Sequence, residues 1–308
     1  MTRRIGFLGT GLMGKPMAAR LLAAGYPLAA WNRTASKAAP LANAGARIAA
    51  TPAEAVADAD LVCVILEAGP AVESVLFATG VDKAIRKGAV VVDFSSIAPD
   101  TAKAHAARLA ALGIGHLDAP VSGGPYGAEA GTLAIMAGGT ADAFAYAEPV
   151  LHAIGTPILV GPSGTGQIAK LGSQTIVASA ISAVAEALLL AKANGADPAK
   201  VREALLGGFA DSKILRIHAV RMLNRDFRPG GHVRTHRKDL DAAVASAASA
   251  GLDLPMLRFV HQTFVDLCDQ GLGDADHASL ILGLEALNRP QRLSDKPDIV
   301  PDIDAAAE

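Results

Sequence analysis

Residues 161–192 read GPSGTGQIAKLGSQTIVASAISAVAEALLLAK, and this stretch constrains the fold more than any other in the chain. Its front is a glycine-rich turn carrying one lysine, Lys170, and its back is apolar for about five helical turns, broken only by Glu186. The pattern predicts a long buried helix over about 165–193. A helix apolar on every side must be covered on every side, which places it between two domains or two subunits. A lone ammonium at the head of such a helix, beside a flexible turn, puts a proton donor where other elements converge.

The part before this helix alternates strands and helices. Arg4 to Leu8 reads as a short buried strand, followed by Gly9, Gly11 and Gly14 in G-x-G-x-x-G spacing and an Ala/Leu-rich helix to Ala24. The first glycine permits the tight turn, the second lets backbone N–H groups approach a pyrophosphate, and the third lets helix and strand pack closely. With Thr10, Leu12 and Met13 between them, these residues form a candidate dinucleotide-binding loop, its phosphates facing a helix N-terminus. Pro27 to Trp31 is a second strand, ending in Asn32, Arg33 and Thr34. An NAD-preferring chain usually places Asp or Glu here for the ribose hydroxyls. This chain has none. Arg33 instead suits a 2′-phosphate, with Asn32 and Thr34 adding polar contacts, so NADP is the expected cofactor and NAD the alternative.

Further strands are expected near Arg47–Ala49, Leu61–Leu66 and Ala89–Phe94, with helices near Ala35–Ala44, after Thr51-Pro52, near Ala71–Phe77 and over Pro99–Leu112. Continuous apolar strands separated by helices imply a parallel sheet covered on both faces, a Rossmann-type doubly wound α/β fold over residues 1–161. Ligands of such sheets bind at the carboxyl ends of the strands, where Leu66 and Ser96 fall; Ser95 and Ser96 equally suit capping the next helix. In HLDAPVSGGPYGAEAGTL, from residue 116, an apolar strand breaks into Ser122-Gly123-Gly124. Those residues fit either a nest of N–H groups for a carboxylate or a plain turn.

Composition narrows the partners. A net charge of −2 with scattered basic residues lacks the electrostatic footprint of nucleic-acid binding, and a hydrophobic fraction of 51% over 308 residues fills two ordinary cores. A small molecule is the expected partner. Cys63 and Cys268 sit far apart in apolar surroundings, which suits packing in a reducing compartment. The start MTRRIGFLGTG runs straight into a strand pattern, and residues 175–191 are short for a membrane span and carry Glu186. A soluble, cytoplasmic protein is expected.

After Gly195 the pattern is helical throughout, giving an all-α domain over residues 162–290 that includes the long helix and commonly supports a homodimer or homotetramer. His232 and His236 lie four apart, but no third ligand is spaced to help them and no metal is expected. Arg234, Arg237 and Lys238 add positive charge suited to an anionic substrate or cofactor phosphates. Residues 291–308 hold prolines, aspartates and little apolar content, and read as a loose tail.

Four stretches, GFLGTGLMGKPMAARLLAAG from Gly6, DAPVSGG from Asp118, GPSGTGQIAK from Gly161 and KDL from Lys238, resemble the 3-hydroxyacid dehydrogenases in order and spacing, over nearly the whole chain to about residue 288. Residues 207–240 and GLGDADHASL from Gly271 look most like the tartronate semialdehyde reductase branch. The resemblance implies reversible hydride transfer between a nicotinamide cofactor and carbon 3 of a small 3-hydroxy acid. By similarity, Lys170 is the general acid in reduction and the base in oxidation, Ser122, Gly123 and Gly124 hold the substrate carboxylate, and Lys238 reaches the site near the nicotinamide. Partial removal from water beside a cationic cofactor lowers such a lysine's pKa toward neutrality. The chain departs from the family in carrying Ser173 and Gln174 where Asn is usual, positions facing the substrate, and Glu67-Ala68-Gly69 where a proline and an asparagine are common. WNRT at the second strand matches NADPH-using relatives, such as glyoxylate and succinic semialdehyde reductases. Tartronate semialdehyde is the expected substrate; 3-hydroxyisobutyrate, a β-hydroxy amino acid, glyoxylate and succinic semialdehyde are its rivals, and a nucleotide-binding sensor is the non-enzymatic alternative. Imine reductases share the fold but typically replace the lysine.

Overall fold

The computed structural model describes residues 2–301 and divides into two compact units, residues 1–170 and 171–308. The division falls inside the long helix, not before it at 161–162, because the helix's first turns are bonded to the first unit.

In the first unit the expected strands appear as β1 (Ile5–Leu8), β2 (Leu28–Trp31), β3 (Arg47–Ile48), β4 (Leu61–Val64), β5 (Val90–Asp93) and β6 (Gly115–Asp118). They lie in the parallel order β3-β2-β1-β4-β5-β6. Their apolar continuity has the expected cause. Phe7, Cys63, Val92 and Leu117 are in register and feed one buried cluster with Met17 and Leu21 of α1 (Gly14–Ala23), while Val62 and Val91 feed another on the opposite face with Val56, Leu76 and Leu109. Every residue of β1, β4 and β5 is buried whichever way it points. Cys63 is one of these packing residues; burial pushes its thiol pKa far up, and both cysteines are unpaired.

The sheet is not parallel throughout. Beyond β6 the chain makes β7 (Val121–Ser122), α7 (Gly124–Ala130), β8 (Leu133–Gly139), α8 (Ala141–Leu151) and β9 (Gly155–Gly161). β8 pairs antiparallel with both β6 and β7, and β9 runs parallel to β8. The two reversed strands follow from a short connection: α7 has seven residues, too few for a parallel crossover, so the chain turns back.

The long helix α9 spans Thr165–Ala193, 29 residues, the extent the sequence pattern predicts, and it is long and apolar enough to cross a membrane by length and composition alone. Ala178, Ile181, Ala185, Leu188 and Leu189 instead pack in the second unit's core with Leu215, Met222, Phe227 and Phe264. The expectation of burial on every side fails within one chain, because Ile168, Ile176 and Leu190 are exposed. The rest of the second unit is helical: α10 (Pro198–Leu205), α11 (Lys213–Asn224), α12 (Val233–Ser249), α13 (Pro255–Asp269) and α14 (Leu280–Leu287).

Residues 291–301 are not a loose tail. Leu293 is buried, the Phe227 N–H donates to the Ile299 carbonyl at 2.8 Å, and the Ile299 N–H donates to the Arg225 carbonyl at 2.8 Å. The fully buried Arg225 pairs with Glu285 and Asp298, each at 2.6 Å. One apolar side chain and one ion pair, too sparse to form a pattern, anchor a segment whose composition is otherwise polar. Residues 302–308 of the expected tail lie outside the described residues.

Candidate active site

Leu8, Val64, Asp93 and Asp118 are paired across β1, β4, β5 and β6, and Trp31 pairs with Leu8 on the other side. The carboxyl ends of these strands therefore line up. The next residues in each case are Gly9 to Gly14, Asn32 to Thr34, Leu66, Ser95-Ser96 and Ser122 to Gly124. Parallel register thus collects on one edge what the sequence scatters from residue 9 to residue 124.

The three glycines of the first loop have three different reasons. Gly9 has φ 100° and a side chain there would overlap the Ile65 carbonyl oxygen; one at Gly14 would overlap the Gly9 carbonyl oxygen. Gly11 faces open space, with nothing within 4 Å of where its Cβ would stand. Protein packing explains Gly9 and Gly14 but not Gly11, whose bareness suits close approach of a phosphate group. Thr10 is buried, and its Oγ1 lacks a hydrogen-bond partner among the described residues, a polar atom left for a ligand. Leu12 is exposed and Met13 half-buried at the start of α1. The loop fits a dinucleotide.

The Asn32 amide braces the loop: its Oδ1 accepts the Thr10 N–H at 2.9 Å and its Nδ2 donates to the Thr34 carbonyl at 3.0 Å. Arg33 and Thr34 are exposed beside it. Ser95 and Ser96 do not cap the next helix, α6 (Pro99–Ala111), whose N-cap is Ala98. Ser95 accepts the Leu66 N–H on its Oγ at 2.9 Å, and its own N–H donates to Asp93 Oδ1 at 2.9 Å. Ser96 is half-buried.

Beyond β6 on the same edge, Ser122 is half-buried on β7 and Gly123 and Gly124 take φ 140° and 62°, backbone that side chains avoid. They open the first turn of α7, whose N-cap Gly123 offers no side chain to its N–H groups.

The head of α9 is fixed to this edge by Asp118 and Gln167. The Asp118 carboxylate accepts N–H from Gly164 at 2.7 Å and from Gln167 at 3.0 Å, and a side chain at Gly166 would overlap the Asp118 and Met136 carbonyl oxygens. Burial raises the Asp118 pKa to about 6 against those bonds, and raises that of the neighbouring Asp93 to about 7. Gln167 Oε1 accepts the Ile97 N–H at 3.1 Å and its Nε2 donates to the Ser95 carbonyl at 2.9 Å. Lys170 follows one turn later, half-buried.

Ser173, Gln174 and Lys238 belong to the second unit. Gln174 Nε2 donates to Asp239 Oδ2 at 2.8 Å, and Lys238 Nζ lies 3.4 Å from Asp239 Oδ1. Asp239, the central residue of the KDL motif and buried on α12, thus organises two expected site residues. His232 and His236 do not share a ligand: His232 Nδ1 meets the Asp274 carbonyl at 3.0 Å, while His236 Nε2 meets the Gln174 carbonyl at 2.9 Å. A carbonyl only accepts, so His236 donates from Nε2–H and its Nδ1 accepts a hydrogen bond from His277 Nδ1–H, 3.2 Å away. Burial pushes the His277 pKa down to about 3 and keeps it neutral. A trio that sequence spacing did not reveal, His218, Asp276 and His277, brings one ligand atom each within 4.8 Å of the others. Arg221 already places its Nε 3.4 Å from Asp276 Oδ1, and the carboxylate also accepts N–H from Gly230, Gly231 and Ala278. The Asp276 carboxylate is thus already paired with a guanidinium and several backbone N–H groups.

Two family models match the chain: the NAD binding domain of 6-phosphogluconate dehydrogenase over residues 4–172, and the NAD-binding domain of NADP-dependent 3-hydroxyisobutyrate dehydrogenase over residues 164–284. The 2-hydroxy-3-oxopropionate reductase of Escherichia coli K12 is 42% identical over 286 residues, 92% of this chain and 98% of its own length. The 3-hydroxyisobutyrate dehydrogenase of Mycobacterium tuberculosis, solved with L-serine, superposes with a TM-score of 0.82 at 31% identity, covering 92% of this chain and 99% of that one. Psf3, solved with NADP+ and 2-OPP, gives a TM-score of 0.83 at 25% identity over 91% of this chain and 99% of its own. With the glycine loop, the Ser122 turn and the Lys170 helix head gathered on one sheet edge, the chain belongs to the NAD(P)-dependent 3-hydroxyacid dehydrogenases, oxidoreductases acting on the CH–OH group of 3-hydroxy acids.

Proposed function

We propose that this enzyme reduces tartronate semialdehyde to glycerate reversibly with NADP(H). The observation that carries the reading is the fixing of the Lys170 helix head to the same sheet edge as the glycine loop and the Ser122 turn, in a chain 42% identical to a 2-hydroxy-3-oxopropionate reductase. Bound at the glycine loop, the nicotinamide cofactor supplies or accepts the hydride. Lys170 gives a proton to the substrate's carbonyl oxygen in reduction and takes it back in oxidation. The Ser122 hydroxyl and the N–H groups of Gly123 and Gly124 hold the carboxylate, so the reacting carbon is presented in one orientation. Arg33, with no acidic neighbour on its strand end, selects the 2′-phosphate.

Oxidation of a β-hydroxy amino acid is the second reading, favoured by the L-serine held in the M. tuberculosis relative. Steady-state rates with tartronate semialdehyde, 3-hydroxyisobutyrate, L-serine, glyoxylate and succinic semialdehyde, each with both cofactors, separate the two. Lys170→Ala is expected to bind NADPH normally and to lose at least about a hundredfold in turnover. Unchanged turnover refutes the role of Lys170 and leaves a nucleotide-binding protein. The apolar stripe of Ile168, Ile176 and Leu190 supports a homodimer through α9. Light scattering of Ile176→Glu, expected to be monomeric beside a dimeric parent, tests it.

A further inference from the structure

We propose that Gln167 is a positioning residue that sets where Lys170 stands relative to the cofactor edge; the proposal rests on the reading of Lys170 as the proton donor. Gln167 is 1% exposed, and both ends of its amide are used on one short segment: Oε1 accepts from Ile97 N–H and Nε2 donates to the Ser95 carbonyl. Burying an amide is unfavourable unless both halves are bonded, and a side chain serving only to fill space there has no need of one. Glutamine alone has the reach and the mixed donor–acceptor head to read a carbonyl and an N–H two residues apart. Glutamate accepts but cannot donate, and methionine does neither.

The segment it reads belongs to the cofactor edge. Ser95 accepts the Leu66 N–H at 2.9 Å, and the adjoining Ile65 carbonyl is what forbids a side chain at Gly9. Contacts therefore run without a gap from the glycine loop through residues 65–66 and Ser95 to Gln167. Positions 167 and 170 are three apart on one helix, so their side chains leave it roughly 60° from each other, on the same face. Turning Gln167 toward residues 95–97 aims Lys170 toward the same edge. Asp118 fixes the height of this turn by its bonds to the Gly164 and Gln167 N–H groups, and Gln167 fixes its rotation.

A double-mutant cycle of Gln167→Met and Lys170→Ala tests this, reading kcat for reduction, NADPH affinity and melting temperature. Gln167→Met is expected to lower kcat about ten- to a hundredfold, since a displacement near 1 Å of a catalytic group costs that much, with NADPH affinity within about twofold of the parent. In the Lys170→Ala background the same change is expected to alter the residual rate by less than about threefold, because its effect runs through the lysine. Equal losses in both backgrounds, or a parental kcat in Gln167→Met beside an inactive Lys170→Ala, overturn the positioning role alone. Unchanged turnover in Lys170→Ala overturns the proton-donor reading and this one with it. Should Gln167→Met not fold, Gln167→Asn, one methylene shorter with both polar groups kept, carries the same cycle and the same outcomes.

Discussion

The N–H of Thr10 donates to Oδ1 of Asn32 at 2.9 Å, tying the glycine loop to the end of β2. This separates two residues that sequence reading grouped as selectors of the 2′-phosphate. Asn32 braces the loop, whereas Arg33 beside it has its side chain in solvent. Asn32→Ala is expected to weaken NADPH and NADH alike by about fivefold, the worth of one hydrogen bond of roughly 1 kcal/mol. Arg33→Ala is expected to weaken NADPH about ten- to a hundredfold and to leave NADH unchanged, as loss of a charge-assisted pair does. Fluorescence titration of each variant with both cofactors checks the contrast; an NADPH-specific loss in Asn32→Ala refutes it.

The glycines of the same loop give a second contrast. A methyl group at Gly11 meets nothing within 4 Å, while one at Gly14 overlaps the Gly9 carbonyl oxygen where α1 leaves the strand. Gly11→Ala is expected to melt within about 2 °C of the parent and to bind cofactor at least about tenfold more weakly. Gly14→Ala is expected to be destabilised by about 2 kcal/mol or more, because backbone must move. Thermal melts with and without NADPH tell the two apart, and a Gly11→Ala that binds normally removes the argument that its bareness serves a ligand.

Most of this edge was legible because it is local. Strand, glycine turn and helix follow one another in sequence, and an apolar run of four residues buried on both faces betrays a parallel strand. What escaped depends on partners distant in the chain. Asp118, Gln167 and Asp239 all lay inside motifs read for other residues, and only the fold shows that Asp118 bonds N–H groups 46 and 49 positions away. The reversed strands β8 and β9 escaped because their alternation is half-exposed and interrupted by glycine, which weakens the apolar signal. The segment 291–301 escaped because one leucine and one aspartate cannot make a pattern, although Arg225 makes them an anchor.

Asp93, at the end of β5, carries a pH dependence whose sign is fixed by its surroundings. Its burial raises the pKa from 3.8 to about 7, so the folded state holds the proton more tightly than the unfolded state does. The unfolded chain binds fewer protons between those values, and stability from this group is therefore complete below pH 3.8 and lost as pH rises through about 7. His277, lowered from 6.5 to about 3, slopes the other way, losing stability as pH falls below 6.5, so only a variant isolates the aspartate. Asp93→Asn keeps an oxygen for the Ser95 N–H and removes the titration. The parent is expected to lose on the order of 4 kcal/mol relative to Asp93→Asn between pH 4 and pH 8. Urea unfolding at both pH values measures it, and parallel stability curves contradict the assignment.

Arg225 has φ 58° at the end of α11, its guanidinium bonded to Glu285 on α14 and Asp298 in the terminal segment, with Leu293 buried nearby in sequence. Each partner alone leaves a buried charge. Asp298→Ala removes one of two carboxylates and is expected to cost less than Glu285→Ala, because Glu285 also accepts the Leu293 N–H at 2.8 Å and is the more buried of the two. Arg225→Met strands both carboxylates and is expected to cost about 3–5 kcal/mol. Truncation after residue 290 removes Asp298, Ile299 and Leu293 together and is expected to destabilise the helical unit by at least as much as Asp298→Ala. A chain cut at 290 that melts with the parent restores the loose tail that composition alone suggested, and assigns Arg225 its stability from Glu285 by itself.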